Sequence, residues 1–107
     1  MQQIKLPNAA AHILTITSSA TSIEELIETA GSSNVDLTWC DGVDLIARTN
    51  GFSYLSDGNT PTATNGLQIA AGGSVLLRGV NLANLYLIRS GGSNATVECN
   101  VGKTNPK

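Results

Sequence analysis

The sequence predicts a mainly β domain, a small antiparallel β-sandwich or barrel carrying one short helix. Short β-branched and apolar runs recur at regular spacing, Gly- and Asn-rich turn signals separate them, and one segment alone has helical periodicity. At 107 residues the chain has the size of one domain, with no room for a second core of comparable size. The expected organisation is a flexible N-terminal arm over residues 1–8, a single β domain over 9–102 and a tail over 103–107.

The first strand is expected over residues 11–17, where His12-Ile13-Leu14-Thr15-Ile16-Thr17 is β-branched and apolar and follows a polar arm containing Pro7. A helix follows: Ile23, Leu26, Ile27 and Ala30 recur at helical spacing while Glu24, Glu25 and Glu28 fall on other faces. Ser22 and Glu25 have capping-box spacing, the early glutamates suit the positive end of the helix dipole, and Gly31 can close the last turn. Such a short helix does not persist alone in water, so its apolar stripe must dock on the sheet.

Beyond Ser32-Ser33-Asn34, Val35, Leu37 and Trp39 alternate with Asp36 and Thr38. After the Asp41-Gly42 turn signal, Val43, Leu45 and Ala47 alternate with Asp44, Ile46 and Arg48, so the two runs are expected to form a hairpin. Trp39, the largest apolar group, belongs in or beside the core. Asn50-Gly51 and Asp57-Gly58 bracket a brief strand, Phe52-Ser53-Tyr54-Leu55, and residues 59–66 read as a polar loop punctuated by Pro61 and Gly66. Leu67-Gln68-Ile69 resumes extended structure, Gly72-Gly73 turns it, and 75–80 forms an apolar strand ending near Gly79. Leu82, Leu85, Tyr86, Leu87 and Ile88 lead into the turn Ser90-Gly91-Gly92-Ser93. The last strand has the cleanest alternation, with Ala95, Val97, Cys99 and Val101 set against Thr96, Glu98 and Asn100.

Charged residues make up only 13% of the chain, against roughly a quarter in a typical soluble protein, so Ser, Thr, Asn and Gly must cover much of the surface. Neutral hydroxyls are cheaper to bury than charges, which suits a close-fitting subunit interface as well as an ordinary polar β surface. A net charge of -2 with no Lys or Arg cluster argues against a nucleic-acid partner. The N-terminus lacks the apolar core of a signal peptide and no stretch is long enough to span a bilayer, which points to a cytoplasmic protein without a membrane partner.

Catalytic raw material is thin, since acid-base or nucleophilic chemistry needs two or three titratable groups within hydrogen-bond reach. His12, the one histidine, sits in an apolar strand and reads as structural; a dyad with Cys40 has no supporting motif. Cys40 and Cys99 are expected as buried thiols in preference to a disulfide, and the absence of a Cys-x-x-Cys pair gives zinc no support. Asp36, Asp41, Asp44 and Asp57 could be imagined as calcium ligands, but their spacing fits no EF-hand, and Asp36 and Asp44 fall on the outward faces of predicted strands. Asn94-Ala95-Thr96 matches a glycosylation acceptor without a secretory route, and Gly72-Gly73 and Gly91-Gly92 lack the context of a phosphate-binding loop. The sequence therefore assigns no catalytic residue, cofactor or metal, and the chain is not expected to be an enzyme.

Four segments carry a resemblance: Val43-Asp44-Leu45, the stretch from Tyr54-Leu55-Ser56-Asp57-Gly58 to Asn65-Gly66, Leu77-Arg78-Gly79, and Leu87-Ile88-Arg89-Ser90-Gly91-Gly92-Ser93-Asn94. Their succession resembles small β-rich virion structural proteins of tailed bacteriophages. The resemblance implies a non-enzymatic capsid decoration or cement protein bound to the major capsid protein, acting as a homo-oligomer, perhaps a trimer, on the capsid surface after assembly in the host cytoplasm. A neck or tail component of the same particle is the first rival. The second is a glycan- or host-surface-binding module that stacks sugars on Trp39, Tyr54 and Tyr86.

Overall fold

The computed structural model describes residues 10–30, 37 and 40–102. The arm over 1–8, the tail over 103–107, Trp39, Asp36 and Gly31 lie outside the described residues.

The chain opens with β1 (Ala10–Ile16), a two-residue strand β2 (Thr21–Ser22) and helix α1 (Ile23–Thr29). Strands β3 (Gly42–Thr49), β4 (Phe52–Leu55), β5 (Leu67–Ile69) and β6 (Ser74–Arg78) follow, then a 3-10 turn (Leu82–Asn84), β7 (Tyr86–Arg89) and β8 (Ala95–Gly102). All the strand pairs are antiparallel: β1 with β8, β2 with β7, β3 with β6 and β4 with β5. The chain is thus folded in half at the β4–β5 loop into a long two-stranded ribbon. The ribbon then rolls up, so that β8 also pairs with β3 and β7 with β4. Two four-stranded sheets result, in the orders β1-β8-β3-β6 and β2-β7-β4-β5. This is the strand order of a jelly roll, two Greek keys closed over one core.

The core follows from the alternation. Leu14 and Ile16 of β1, Val43 and Leu45 of β3, and Val97, Cys99 and Val101 of β8 are fully or almost fully buried on the inner face of the first sheet. Phe52, Tyr54 and Leu87 meet them from the second sheet, with the Phe52 and Tyr54 rings tilted at 43° and 6.2 Å apart. Helix α1 contributes Ile23, Leu26 and Ile27, all buried, and leaves Glu25 and Glu28 outside. Its start is as expected: the Ser22 hydroxyl accepts a hydrogen bond from the Glu25 N–H at 3.3 Å. Its last turn closes at the C-cap Ala30, whose N–H donates to the Leu26 carbonyl at 3.1 Å.

One turn signal acts differently from the sequence expectation. Asp41-Gly42 is no hairpin turn: Gly42 already belongs to β3, paired with Gly102 on one side and Arg78 on the other. Of the first arm of that supposed hairpin, Leu37 alone is described, and it is buried outside any strand. Asn50-Gly51 is the expected tight turn before β4, with Asn50 in the left-handed region at φ 64°, and it carries the chain from one sheet to the other. Gly51 is required there by space, because a Cβ would lie 2.6 Å from the Ile69 carbonyl oxygen. Strand β2 and the 3-10 turn carry no periodic signal in the sequence. Asn81 caps the latter, its side-chain oxygen accepting from the Ala83 N–H at 3.1 Å.

Candidate assembly surface

The outer face of the β1-β8-β3-β6 sheet is built from the residues alternating with the core. One row across it runs Ile13, Glu98, Ile46 and Ser74; the neighbouring row contains Asn100, Asp44 and Leu76. A third row, Thr15, Thr96 and Thr49, is made of threonines alone. Arg48 sits at the register shift in β3 and forms an ion pair with Glu98, its Nε donating to Oε1 at 3.0 Å. An exposed pair of this kind contributes little stability but removes two charges from the exposed field. The face therefore presents hydroxyls, an amide and isolated apolar groups. Asp44 lies on this outer face, as the alternation predicts, and is only 5% exposed there.

Among the described residues two large apolar side chains stand out from the surface, Ile13 at 55% and Leu67 at 60% exposure. Both lie on edge strands, β1 of one sheet and β5 of the other. Natural sheets blunt their edges by shortness, charge, proline or bulges. Strands β2 and β5 are two and three residues long, and β6 ends on exposed Arg78. Strand β1 is longer, and its seven residues, Ala-Ala-His-Ile-Leu-Thr-Ile, contain no proline and no acidic or basic side chain other than His12; helix α1 packs against it.

The residues weighed for chemistry fall apart in space or into the core. His12 is half-buried opposite Cys99 in the β1/β8 register, not opposite Cys40. Cys40 and Cys99 are both buried, and no disulfide joins them. Burial, then the nearby Asp44 carboxylate and Cys40, push the Cys99 thiol far above its ordinary range, the opposite of an activated nucleophile. Asp41 and Asp44 lie at the start of β3 and Asp57 in the β4–β5 loop, where it accepts from the Asn59 N–H at 3.1 Å. Among the described residues no three metal-ligating side chains are gathered. Tyr54 is 4% exposed, and burial raises its phenol pKa, so it offers no stacking surface; Tyr86 is half-exposed on the outer face of the second sheet. The Asn94 side chain accepts from Arg89 at 2.8 Å and its carbonyl from Asn50 at 2.9 Å, tying two loops together. The place of β1 at the end of its sheet is invisible to sequence periodicity, because which strand ends a sheet depends on the pairing.

Comparison of the chain with protein-family models, with curated proteins and with solved structures found no match.

Proposed function

We propose that this chain is a non-enzymatic structural protein of a tailed-bacteriophage virion, a capsid decoration or cement protein that bridges subunits of the major capsid protein. The observation that carries the reading is the topology. Eight antiparallel strands in jelly-roll order form an architecture used in viral capsid proteins, as well as in lectins and cupins. Among these uses the residues of this chain favour assembly. A metal site of two histidines and a carboxylate cannot be built from a chain with one histidine. A sugar platform loses Tyr54 to the core. A hydroxyl-rich sheet face with paired charges suits packing against another protein, where buried neutral groups cost less than buried ions.

In this reading the protein sits on the capsid surface, having joined it in the host cytoplasm. It acts as a homo-oligomer, without nucleic-acid or membrane contacts, and adds contact area across a seam between capsid subunits. A standard interface buries on the order of 1,600 Å² in total, and repetition around the shell multiplies its effect through avidity. Quantitative mass spectrometry of purified virions tests the reading. About one copy per major capsid subunit, or per small integer of them, supports a shell-covering role. Fewer than about one copy per ten capsid subunits places the chain at the neck or tail, and absence from particles overturns the virion reading.

A further inference from the structure

We infer that Asn65 is a site of spontaneous covalent modification: its side-chain amide is displaced by the Gly66 nitrogen, and the residue becomes aspartate or isoaspartate. The inference stands independently of the virion reading.

An asparagine followed by glycine is open to this reaction, because no Cβ on the second residue blocks the approach of its nitrogen. The chain has two such pairs, Asn50-Gly51 and Asn65-Gly66, and both asparagines are exposed. Exposure does not separate them; their bonding does. The Asn50 side-chain amide donates to the Asn94 carbonyl at 2.9 Å, which holds the group that must swing onto its neighbour. Gly51 is wedged where the chain crosses between the sheets: a Cβ there would lie 2.6 Å from the Ile69 carbonyl oxygen, and its own carbonyl accepts from the Ser90 N–H at 3.2 Å. Ring closure at Asn50 therefore requires the junction of β3 and β4 to open. Asn65 lies in the β4–β5 loop, and its carboxamide has no hydrogen-bond partner among the described residues. Its backbone is tied to exposed Thr62, whose N–H donates to the Asn65 carbonyl at 2.9 Å and whose hydroxyl accepts from the Asn65 N–H at 2.9 Å. Turning the Asn65 carbonyl to bring the Gly66 nitrogen to Cγ breaks the first of these loop bonds. Opening an exposed loop costs little free energy, whereas opening paired strands approaches the cost of global unfolding.

The reaction needs water and no oxidant. A bond forms from the Gly66 nitrogen to Asn65 Cγ, and the Cγ–Nδ2 bond breaks. The Gly66 amide proton passes through solvent to the departing nitrogen, which leaves as ammonia. Water then opens the succinimide: breaking the bond from the ring nitrogen to Cγ gives aspartate, and breaking its bond to the backbone carbonyl carbon gives isoaspartate. The ring nitrogen recovers a proton in both cases. Either product adds one negative charge to a chain of formal net charge -2. Isoaspartate also lengthens the main chain beside Gly66, where a Cβ would already lie 3.0 Å from the Tyr54 carbonyl oxygen. The charge and the backbone of this surface thus change with the age of the protein.

Peptide mass spectrometry of the folded chain, sampled over weeks at neutral pH with a parallel sample in urea, tests the inference. Trypsin cuts after Arg48 and Arg78 and releases residues 49–78 as one peptide, so fragmentation reads both asparagines in the same molecule. The urea sample sets the rate of the open chain at each site. In the folded protein Asn65 is expected to convert at least about tenfold faster than Asn50, and within about tenfold of its own rate in urea. An acidic species should accumulate in step on ion exchange and be lost in Asn65→Gln, an exposed substitution whose longer side chain disfavours the ring. Conversion at Asn50 as fast as at Asn65 overturns the inference. So does an Asn65 that stays intact in the folded chain while it converts in urea, or an acidic species that forms as fast in Asn65→Gln.

Discussion

Replacing Cys99 by alanine should remove a defined part of the protein's alkaline instability. Cys99 is completely buried on β8 between β1 and β3, and burial, Asp44 and Cys40 together raise its thiol pKa well above the ordinary 9.0. A raised folded-state pKa contributes stability that is fully present below pH 9. Above it the unfolded chain releases the thiol proton while the folded chain keeps it. Each further pH unit then costs on the order of 1 kcal/mol for as long as the folded thiol stays protonated. In a domain whose whole stability is about 5–15 kcal/mol that is a large fraction. Alanine also leaves a small cavity, but that cost does not vary with pH. Urea unfolding followed by circular dichroism, in reductant at several pH values, gives both stability curves. The lysines and tyrosines, Tyr54 included, are common to both proteins and cancel in the difference. The gap between wild type and Cys99→Ala should close by on the order of 1 kcal/mol per pH unit above pH 9. Parallel curves would refute the argument, since they would mean that the thiol reaches water in the folded state.

Ser53→Ala is expected to leave stability unchanged or raise it by up to about 1 kcal/mol in thermal melts, because Ser53 Oγ is buried without a hydrogen-bond partner among the described residues. A loss above about 1 kcal/mol would show that the hydroxyl has an acceptor. Gly51→Ala should cost about 1–3 kcal/mol, since its Cβ would meet the Ile69 carbonyl at 2.6 Å and Ser90 Oγ at 3.0 Å; an unchanged melting temperature would show that this corner yields freely. Ser22→Ala should cost about 1 kcal/mol through loss of the α1 cap, measurable by the same melts, and Ser22→Asp should restore most of it.

The local elements were legible in the sequence where one face is buried and the other wet. The strict alternation of β8, the apolar spacing of Ile23, Leu26 and Ile27, and the Ser22 cap each predict the observed element within a residue or so. Pairing was not legible, because turn chemistry says how sharply a chain bends and nothing about which strand it will lie beside. Asn50-Gly51 and Gly72-Gly73 both bend the chain sharply, yet each joins strands in different sheets. Asp44 lies on the outer face to which alternation assigns it, yet is buried there, because β3 is flanked on both sides and its outer face is not all open to water. The place of β1 at the end of its sheet was hidden in the same way, since that depends on β8 lying on its other side.

The position of β8 bears on how the protein is made. Of the described strands it is the last to leave the ribosome, yet it lies between β1, the first of them, and β3. Until it emerges, the two halves of that sheet have nothing to hold them together, and the inner-face residues of β1 have no strand to shield them. Closure must therefore come late and through contacts between the two ends of the domain, a topology associated with folding over milliseconds to seconds. During that interval the nascent chain carries an apolar, charge-free strand that a chaperone or a sister chain can reach, so its yield should depend on temperature and synthesis rate more than its folded stability would suggest.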